Sequence, residues 1–273
     1  MVEFLEAIKR PLKTDLTTVV LGSIFMGFHV LGGAITVIFG SILGGILSLL
    51  SVLVHGLGIE ASRRTIRNDH SMPAFDDYVD LFFSGLMVWV IGVLYFLPAM
   101  IVIAFGVANS FPLIFAVFHN AVWQPIQALQ GMLLLILNGA VYGLVALVLG
   151  ILATLMMPIA VQLYAKNKQL GDAFKFPEIL NVVATKEYWM SWAVLAGYGV
   201  VLLGVSTILS TLSLFILAIP ALGVSSYLWW ITWYTLFADV THEVMGTHKH
   251  PTAKHHAAKA THHKKGRFAA RKR

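Results

Sequence analysis

Hydrophobic residues dominate three unbroken stretches of this chain, Leu16–Ile59, Leu81–Ala165 and Tyr188–Ala238, in which no Asp, Glu, Lys or Arg occurs. The stretches are 44, 85 and 51 residues long, whereas one helical crossing of a bilayer needs roughly 20. A soluble helix of this length would show a charged face every few residues. The pattern therefore predicts an all-α integral membrane protein. The first stretch divides at Gly40 into helices near residues 16–38 and 41–60. The last divides between Ser210 and Ser213 into helices near 189–209 and 214–236. In the middle stretch, the segments near 84–107 and 131–157 are each long enough to cross. Residues 108–130 between them (ANSFPLIFAVFHNAVWQPIQALQ) carry Asn109, His119, Asn120, Gln124, Gln127 and two prolines. The apolar part of that segment, Phe111–Phe118, is too short for a helical crossing, so an outer loop with an interfacial or re-entrant piece is expected. The outcome is six transmembrane helices arranged as three hairpins.

Charge sets the orientation. Lys9, Arg10 and Lys13 precede the first span, and Arg63, Arg64 and Arg67 follow the second. Lys166, Lys168, Lys175 and Lys186 lie between the fourth and fifth, and every other Lys and Arg follows the sixth. All 19 basic residues thus fall on one side of a six-span arrangement, and the 13 acids fall there too. Basic residues are retained in the cytoplasm, so both termini are expected to be cytoplasmic, in a plasma or inner membrane. A seventh span would scatter these charges over both faces. Glu3 and Glu6 stand where a cleaved signal peptide would be basic, so the first span is expected to stay in the mature protein. Cysteine is absent, which removes disulfides and thiolate metal sites from consideration.

A short amphipathic segment precedes each odd-numbered span. Val2, Phe4, Leu5, Ile8 and Leu12 share a helical face in the first. Phe75, Val79, Phe82, Phe83 and Leu86 recur at helical spacing in the second. The third, GDAFKFPEILNVVATKEYW, places Ala173-Phe174 where the second has Ala74-Phe75. The expected unit is an interfacial elbow helix followed by a helical hairpin, used three times. The stretch MPAFDDYVDLFFSGL (Met72–Leu86) resembles the recurring "L-P-x-F-D-D-W…L-F…G-L" of the domain-of-unknown-function family numbered 4013, whose members are prokaryotic multi-pass membrane proteins. MMPIAVQLYAKNKQLGDAFKFPEI (Met156–Ile179) is similar to that family's second signature, a proline-ended helix, a basic connector and an "A-F-x-F-x-E-I" elbow. Met72, Tyr78 and the basic tail depart from the pattern. The resemblance implies the architecture over residues 1–246 and implies no activity.

Several residue groups invite a chemical reading. Asp76, Asp77 and Asp80, with Asp69 and His70 nearby, are oxygen-rich enough for a divalent cation. Alternatively, Pro73 starts a helix whose positive end Asp76 and Asp77 complement, with Arg63, Arg64 and Arg67 as neutralising partners. Asp239, His242 and Glu243 share one helix face by their i, i+3, i+4 spacing, a pattern used both by metal sites and by ordinary solvated helix ends. If the two clusters met, a metal-dependent enzyme acting on lipid headgroups would follow. His29 and His55 are the histidines inside spans. Each is either a relay or ligand group for a transporter or channel of a small solute, or a neutral imidazole bonded to a neighbouring helix. Gly40-x3-Gly44 and Gly139-x3-Gly143 offer close-packing faces. Pro98, Pro158 and Pro220 would kink or end their helices, and Tyr227, Trp229, Trp230, Trp233 and Tyr234 fit an interfacial aromatic belt. No nucleophile elbow, phosphate loop or HExxH motif occurs, and no cofactor is expected.

Residues 247–273 have too few apolar side chains to fold alone and form an expected disordered His/Lys-rich tail. Its cations are Lys249, Lys254, Lys259, Lys264, Lys265, Arg267, Arg271, Lys272 and Arg273. Beside a bilayer, such a tail attracts anionic lipid headgroups at about 1 kcal/mol per basic residue. Nucleic acid or a protein partner is the alternative. The leading functional expectation is a non-enzymatic membrane organiser or interaction component whose tail binds anionic surfaces.

Overall fold

The computed structural model describes residues 4–39, 49–121, 123–213 and 215–248, and among these the chain is helical without a strand. The α-helices are α1 (Phe4–Lys9), α2 (Leu16–Phe39), α3 (Ser51–Ile66), α4 (Tyr78–Asn120), α5 (Pro125–Asn167), α6 (Phe176–Val183), α7 (Lys186–Leu212) and α8 (Ala218–His248). Short 3₁₀ turns at Arg10–Leu12 and Leu170–Phe174 precede α2 and α6. Four helices, α2, α4, α5 and α7, are long and apolar enough to cross a membrane. The expected turn at Gly40, the start of the span near 41–60, Gly44 and the tail from Lys249 onward lie outside the described residues.

α8 is the hub: it packs on α2, α3, α5 and α7, while α4 packs on α3 and α5. From Ile231 to Ala238 every residue of α8 is buried, including Thr232, Tyr234 and Thr235. A helix surrounded by protein on all faces has no need to be lipophilic. This is why α8, with its Ser, Thr and Tyr content, is not among the four most apolar helices. The five aromatics expected as an interfacial belt lie on this helix; three belong to the core, and Trp229 and Trp230 pack against it half-buried. Tyr227, Trp233 and Tyr234 are buried, and Trp229, Trp230, Trp233, Tyr234 and Phe237 form a chain of ring contacts with centroids 4.8–5.7 Å apart.

Two crossings are made by glycine. A Cβ on Gly56 of α3 would fall inside the main-chain carbonyl of Leu81, and one on Gly85 of α4 inside that of Val52. The two backbones therefore touch, which no residue with a side chain permits. At the α2–α8 crossing, a Cβ on Gly223 would lie 2.5 Å from the carbonyl oxygen of Ser23 and 3.0 Å from Gly27, while Gly22 makes room for the ring of Tyr227. Gly139 and Gly143, the glycine pair singled out by spacing, face open space.

The hairpin α4–α5 corrects the expected outer loop. Both helices run 43 residues, about 65 Å at 1.5 Å per residue, and only Ala121–Gln124 separate them. The polarity that suggested a loop over 108–130 is partly internal to the hairpin. Asn109 Nδ2 donates to the hydroxyl of Tyr142 at 2.7 Å, and Asn138 Nδ2 to Ser110 Oγ at 2.9 Å and to the carbonyl of Gly106 at 3.3 Å. Polar groups satisfied across a helix pair need no solvent. Pro98, Pro112 and Pro158 sit inside continuous helices, and Pro220 lies in the first turn of α8.

The second elbow is corrected as well. Residues 69–77 are not helical, and α4 begins at Tyr78, five residues after Pro73. Phe75, expected at the headgroups, is buried, with its ring 5.6 Å from Phe25 edge-on and 6.4 Å from Tyr78 in a stack. The first and third units do carry short helices, α1 and α6. The parallel between Ala74-Phe75 and Ala173-Phe174 thus reflects a shared packing role: Phe174 stacks on Tyr95 of α4 at 5.6 Å, and the Tyr95 hydroxyl donates to the carbonyl of Ala173 at 2.6 Å.

The crossings yield a direct test. Gly56→Ala or Gly85→Ala should destabilise the fold by about 2–3 kcal/mol through backbone displacement. Gly139→Ala should be neutral or stabilising by up to about 1 kcal/mol from helix propensity. Unfolding of the detergent-solubilised protein, followed by far-UV circular dichroism, ranks the three.

Candidate functional site

The polar residues inside the bundle converge on Tyr234. Its hydroxyl lies 3.0 Å from His55 Nδ1, and its main-chain carbonyl accepts from Ser62 Oγ at 3.1 Å and from Gln162 Nε2 at 3.2 Å. Gly58, one turn below Ser62, leaves space for the phenol ring against α3. One residue of α8 thereby joins α3 and α5. His55 is 7% exposed and meets Trp230 edge-on at 4.8 Å, the arrangement of a histidine held by neighbouring helices. His29 on α2 is half-buried, and its Nδ1 has no hydrogen-bond partner among the described residues. Beside it, α2 and the start of α8 form an apolar groove of about 380 Å³ lined by Val20, Ile24, Phe28, Ile219 and Pro220 among others; neither histidine lines it.

Charged residues meet at the other end of the helices. Arg10, 6% exposed, lies 3.0 Å from Asp239 Oδ2 and donates to Thr65 Oγ1 at 3.3 Å. It ties the N-terminal segment to the ends of α3 and α8. Burial pushes the Asp239 carboxyl up from its ordinary range, and the guanidinium of Arg10 works against that rise. Lys168, after α5, holds Asp80 at the start of α4 at 2.7 Å. Lys168 itself adopts a left-handed backbone with φ 54°, closing α5 through its N–H to the carbonyl of Tyr164. Asp172 accepts from Asn167 at 2.6 Å and pairs with Lys175 at 2.7 Å. Lys175 and then Asn167 hold the Asp172 carboxyl below its usual value.

The acidic cluster is a capping device in this geometry. Asp77 is the N-cap of α4, accepting from the N–H of Asp80 at 3.0 Å, and Asp76 accepts from the N–H of Asp77 at 3.0 Å. Asp69 accepts from the N–H of Ser71 at 2.9 Å. Of the expected partners, Arg63 and Arg64 reach Glu60 at 3.7 and 3.6 Å, and Arg64 also donates to Ser71 Oγ at 3.3 Å and to the carbonyl of Met72 at 3.4 Å, in the connector that carries Asp69. Asp239 is engaged by Arg10, His242 is exposed, and Glu243 is half-buried. Among the described residues, no three of His, Asp and Glu form a group that could hold one metal ion. The tail cations Lys249 to Arg273 lie outside the described residues.

Sequence reasoning missed Arg10, Gln162, Tyr234 and Tyr95. Tyr234 reads as part of an interfacial belt, Tyr95 looks like an ordinary aromatic in an apolar run, and Arg10 is one of several cations in its segment. Gln162 had a signal: it is the single amide in the uncharged run between Asn138 and Ala165. An isolated amide at that depth is costly without a partner.

These features define a helical chain with several membrane-span-like helices and internal polar ties. The family described as "Protein of unknown function (DUF4013)" matches residues 39–211. That is more than half of the chain, and the chain belongs to this family. The match is narrower than the 1–246 expected from the two signatures, and α8 lies beyond it. No curated protein and no solved structure matches the chain.

Arg10→Ala should cost about 3–5 kcal/mol, because it leaves the Asp239 carboxylate buried without its cation. The double change Arg10→Ala with Asp239→Ala should recover a large part of that loss. A double-mutant cycle on denaturant midpoints measures the coupling.

Proposed function

We propose that the protein is a non-enzymatic, six-span membrane component that organises or docks material at the cytoplasmic membrane surface. Its spans form three hairpins, both termini face the cytoplasm, and the basic tail binds anionic headgroups. The observation that carries this reading is charge segregation. Every Lys and Arg falls outside the three uncharged runs. The pairs Arg10–Asp239 and Lys168–Asp80 link the start of one helix to the end of another, which favours placing those ends on one face. A face that concentrates all 19 cations of a chain with net charge +6 attracts an anionic lipid surface.

The engagement of the candidate polar groups favours this role over the alternatives. His55 already serves as a hydrogen-bond partner of Tyr234, and the acids at the start of α4 cap a helix or pair with lysine. Neither arrangement favours a carrier or a metal-dependent lipid enzyme.

The absence of cysteine makes sidedness easy to measure. In intact cells, Asn120→Cys and Ser213→Cys should react with a membrane-impermeant maleimide, while Ser71→Cys should react only after permeabilisation. The reverse pattern overturns the orientation. Deleting residues 249–273 should abolish flotation of nanodisc-embedded protein with phosphatidylglycerol vesicles, and undiminished flotation overturns the role given to the tail.

A further inference from the structure

The α4–α5 hairpin outruns the helices packed beside it. The junction at Tyr234 gives a common starting height, because Gln162 of α5 donates to the Tyr234 carbonyl of α8. Measured along each helix from there, α8 reaches its start at Ala218 after about 24 Å. α7 meets α8 where Ser206 Oγ donates to the carbonyl of Ala221, and it ends at Leu212, about 28 Å above the junction. α2 touches Gly223 through Gly27 and ends at Phe39, about 35 Å above it. α5 continues back to Pro125 for about 55 Å. The hairpin thus stands about 20 Å beyond these neighbours. On this overhang Phe111, Phe115, Phe118, Ile126, Leu129 and Leu133 are all at least 57% exposed, and no charged residue occurs.

Lipid alone does not cover that surface. Each arm is about 65 Å long, against ~40–45 Å for a bilayer with its interfacial regions. Fitting the arms between the two membrane surfaces takes a tilt of about 45°, beyond the 0–40° that membrane helices adopt. Because the helices are packed together, the same tilt would cut the reach of the 27-residue α7 to about 28 Å, less than the ~30 Å hydrocarbon core.

One face of the outer hairpin permits close approach. A groove of about 290 Å³ runs between Ile103, Val107 and Ile114 of α4 and Gly139 and Gly143 of α5. A Cβ at either glycine meets nothing within 4 Å, so the backbone of α5 is bare on that side. The polar groups that line the groove, Ser110 and Tyr142, are engaged by Asn138 and Asn109 of the hairpin itself. A partner for this face must be apolar and must also reach about 20 Å past the other helices. Among the described helices of this chain, only the same hairpin does so. Two copies inserted the same way round are related by an axis along the membrane normal, so surfaces of equal height meet and the face opposes itself. From Ile103 to the tip it is about 27 Å tall and about 22 Å wide, which offers about 600 Å² per copy, the lower end of stable interfaces.

We infer that a second copy of this chain covers the outer half of the hairpin: the α4–α5 hairpins of two copies pair through the groove at Gly139 and Gly143, with their charged ends on the same side. This pairing rests on the membrane-spanning reading of the chain, though not on which face is cytoplasmic or on the tail.

The chain has no cysteine of its own, so single cysteines report the contact in isolated membranes. Ile136, three residues before Gly139, lies on the groove side of α5, and Leu137, two residues before it, lies on the opposite side. Their exposures are similar, 65% and 58%. Phe118 continues the groove side of α4, four residues after Ile114. On oxidation with copper phenanthroline, the full chain carrying Ile136→Cys or Phe118→Cys should form a disulfide-linked two-copy species, and Leu137→Cys should not. A linked pair at neither groove-side position, with lipid alone covering the face, overturns the inference, as does equal linkage at Leu137→Cys. Adding Gly143→Leu to the Ile136→Cys chain should lower the linked yield about tenfold by overpacking the contact. The far-UV circular dichroism of that variant should be unchanged, because position 143 meets nothing in its own chain. An alanine methyl, by contrast, is small enough for such contacts. Undiminished linkage overturns the role given to the groove, and should the leucine variant fold poorly, the comparison of Ile136 with Leu137 decides alone. Both copies share one orientation whichever way they insert. Failure of the sidedness experiment and failure of this one are therefore separate results.

Discussion

The contact of backbone on backbone where α3 crosses α4 is the constraint on which the bundle depends. Gly56 and Gly85 remove the side chains that would hold the helices apart, and each glycine faces a main-chain carbonyl of the other helix. Helices packed through ordinary side chains sit 8–10 Å apart, and the direct contact here draws α4 closer. That proximity lets Phe75 and Leu81 enter a common core with Met26, Val54, Leu57 and Tyr227. The connector before α4 therefore inserts Phe75 into the bundle. Attraction between apolar side chains alone provides little reason for helices to leave lipid, so close approach and hydrogen bonding must specify the contacts.

α8 gathers what this crossing brings near. Its middle is buried on every side, and there Tyr234 receives hydrogen bonds from α3 and α5 on its carbonyl and meets His55 through its hydroxyl. Further along, Asp239 meets Arg10 in a largely buried pair. The same helix thus carries a neutral polar junction in its middle and an ionic one near its end. Breaking the second leaves a charge stranded, which is why such pairs act strongly on specificity even where their net contribution to stability is small.

Much of the fold was legible from residue order, and the reasons differ by element. The all-helical class follows from the uncharged runs, which only chains shielded from water sustain. The start of α5 was missed, since Pro125, counted with the expected loop, stands at the helix's first position, and α7 begins a few residues before the expected 189, after the Thr185 cap whose side chain accepts from the N–H of Tyr188. The outer loop over 108–130 was misread in part because Asn109 looks like a solvent-seeking residue until it is found bonded to Tyr142 across the hairpin. The glycine spacing was misread for a related reason: within the chain Gly139 and Gly143 have the motif and no neighbour, whereas Gly56 and Gly85 have neighbours and no shared motif. As for the candidate site, the aspartates before α4 stood out by composition. Capping and pairing with Lys168 account for Asp77 and Asp80.

By itself, the sequence determined that the chain is helical, that long apolar stretches alternate with charged connectors, and that all cations are segregated from those stretches. These are properties of composition along a line, and the cost of burying charge or unpaired backbone in hydrocarbon reads them directly. Only the tertiary structure decided which apolar stretches are covered by protein and which are left outward. Leu81–Ile91 and Phe111–Phe118 are equally hydrophobic as strings, yet the first buries one side (Leu81, Ser84, Gly85, Val88, Ile91) and exposes Phe82, Phe83 and Trp89, while the second buries no residue. Hydrophobicity measures the cost of contact with water and does not distinguish lipid from a neighbouring helix as the alternative. That distinction is set by where glycine permits two backbones to meet.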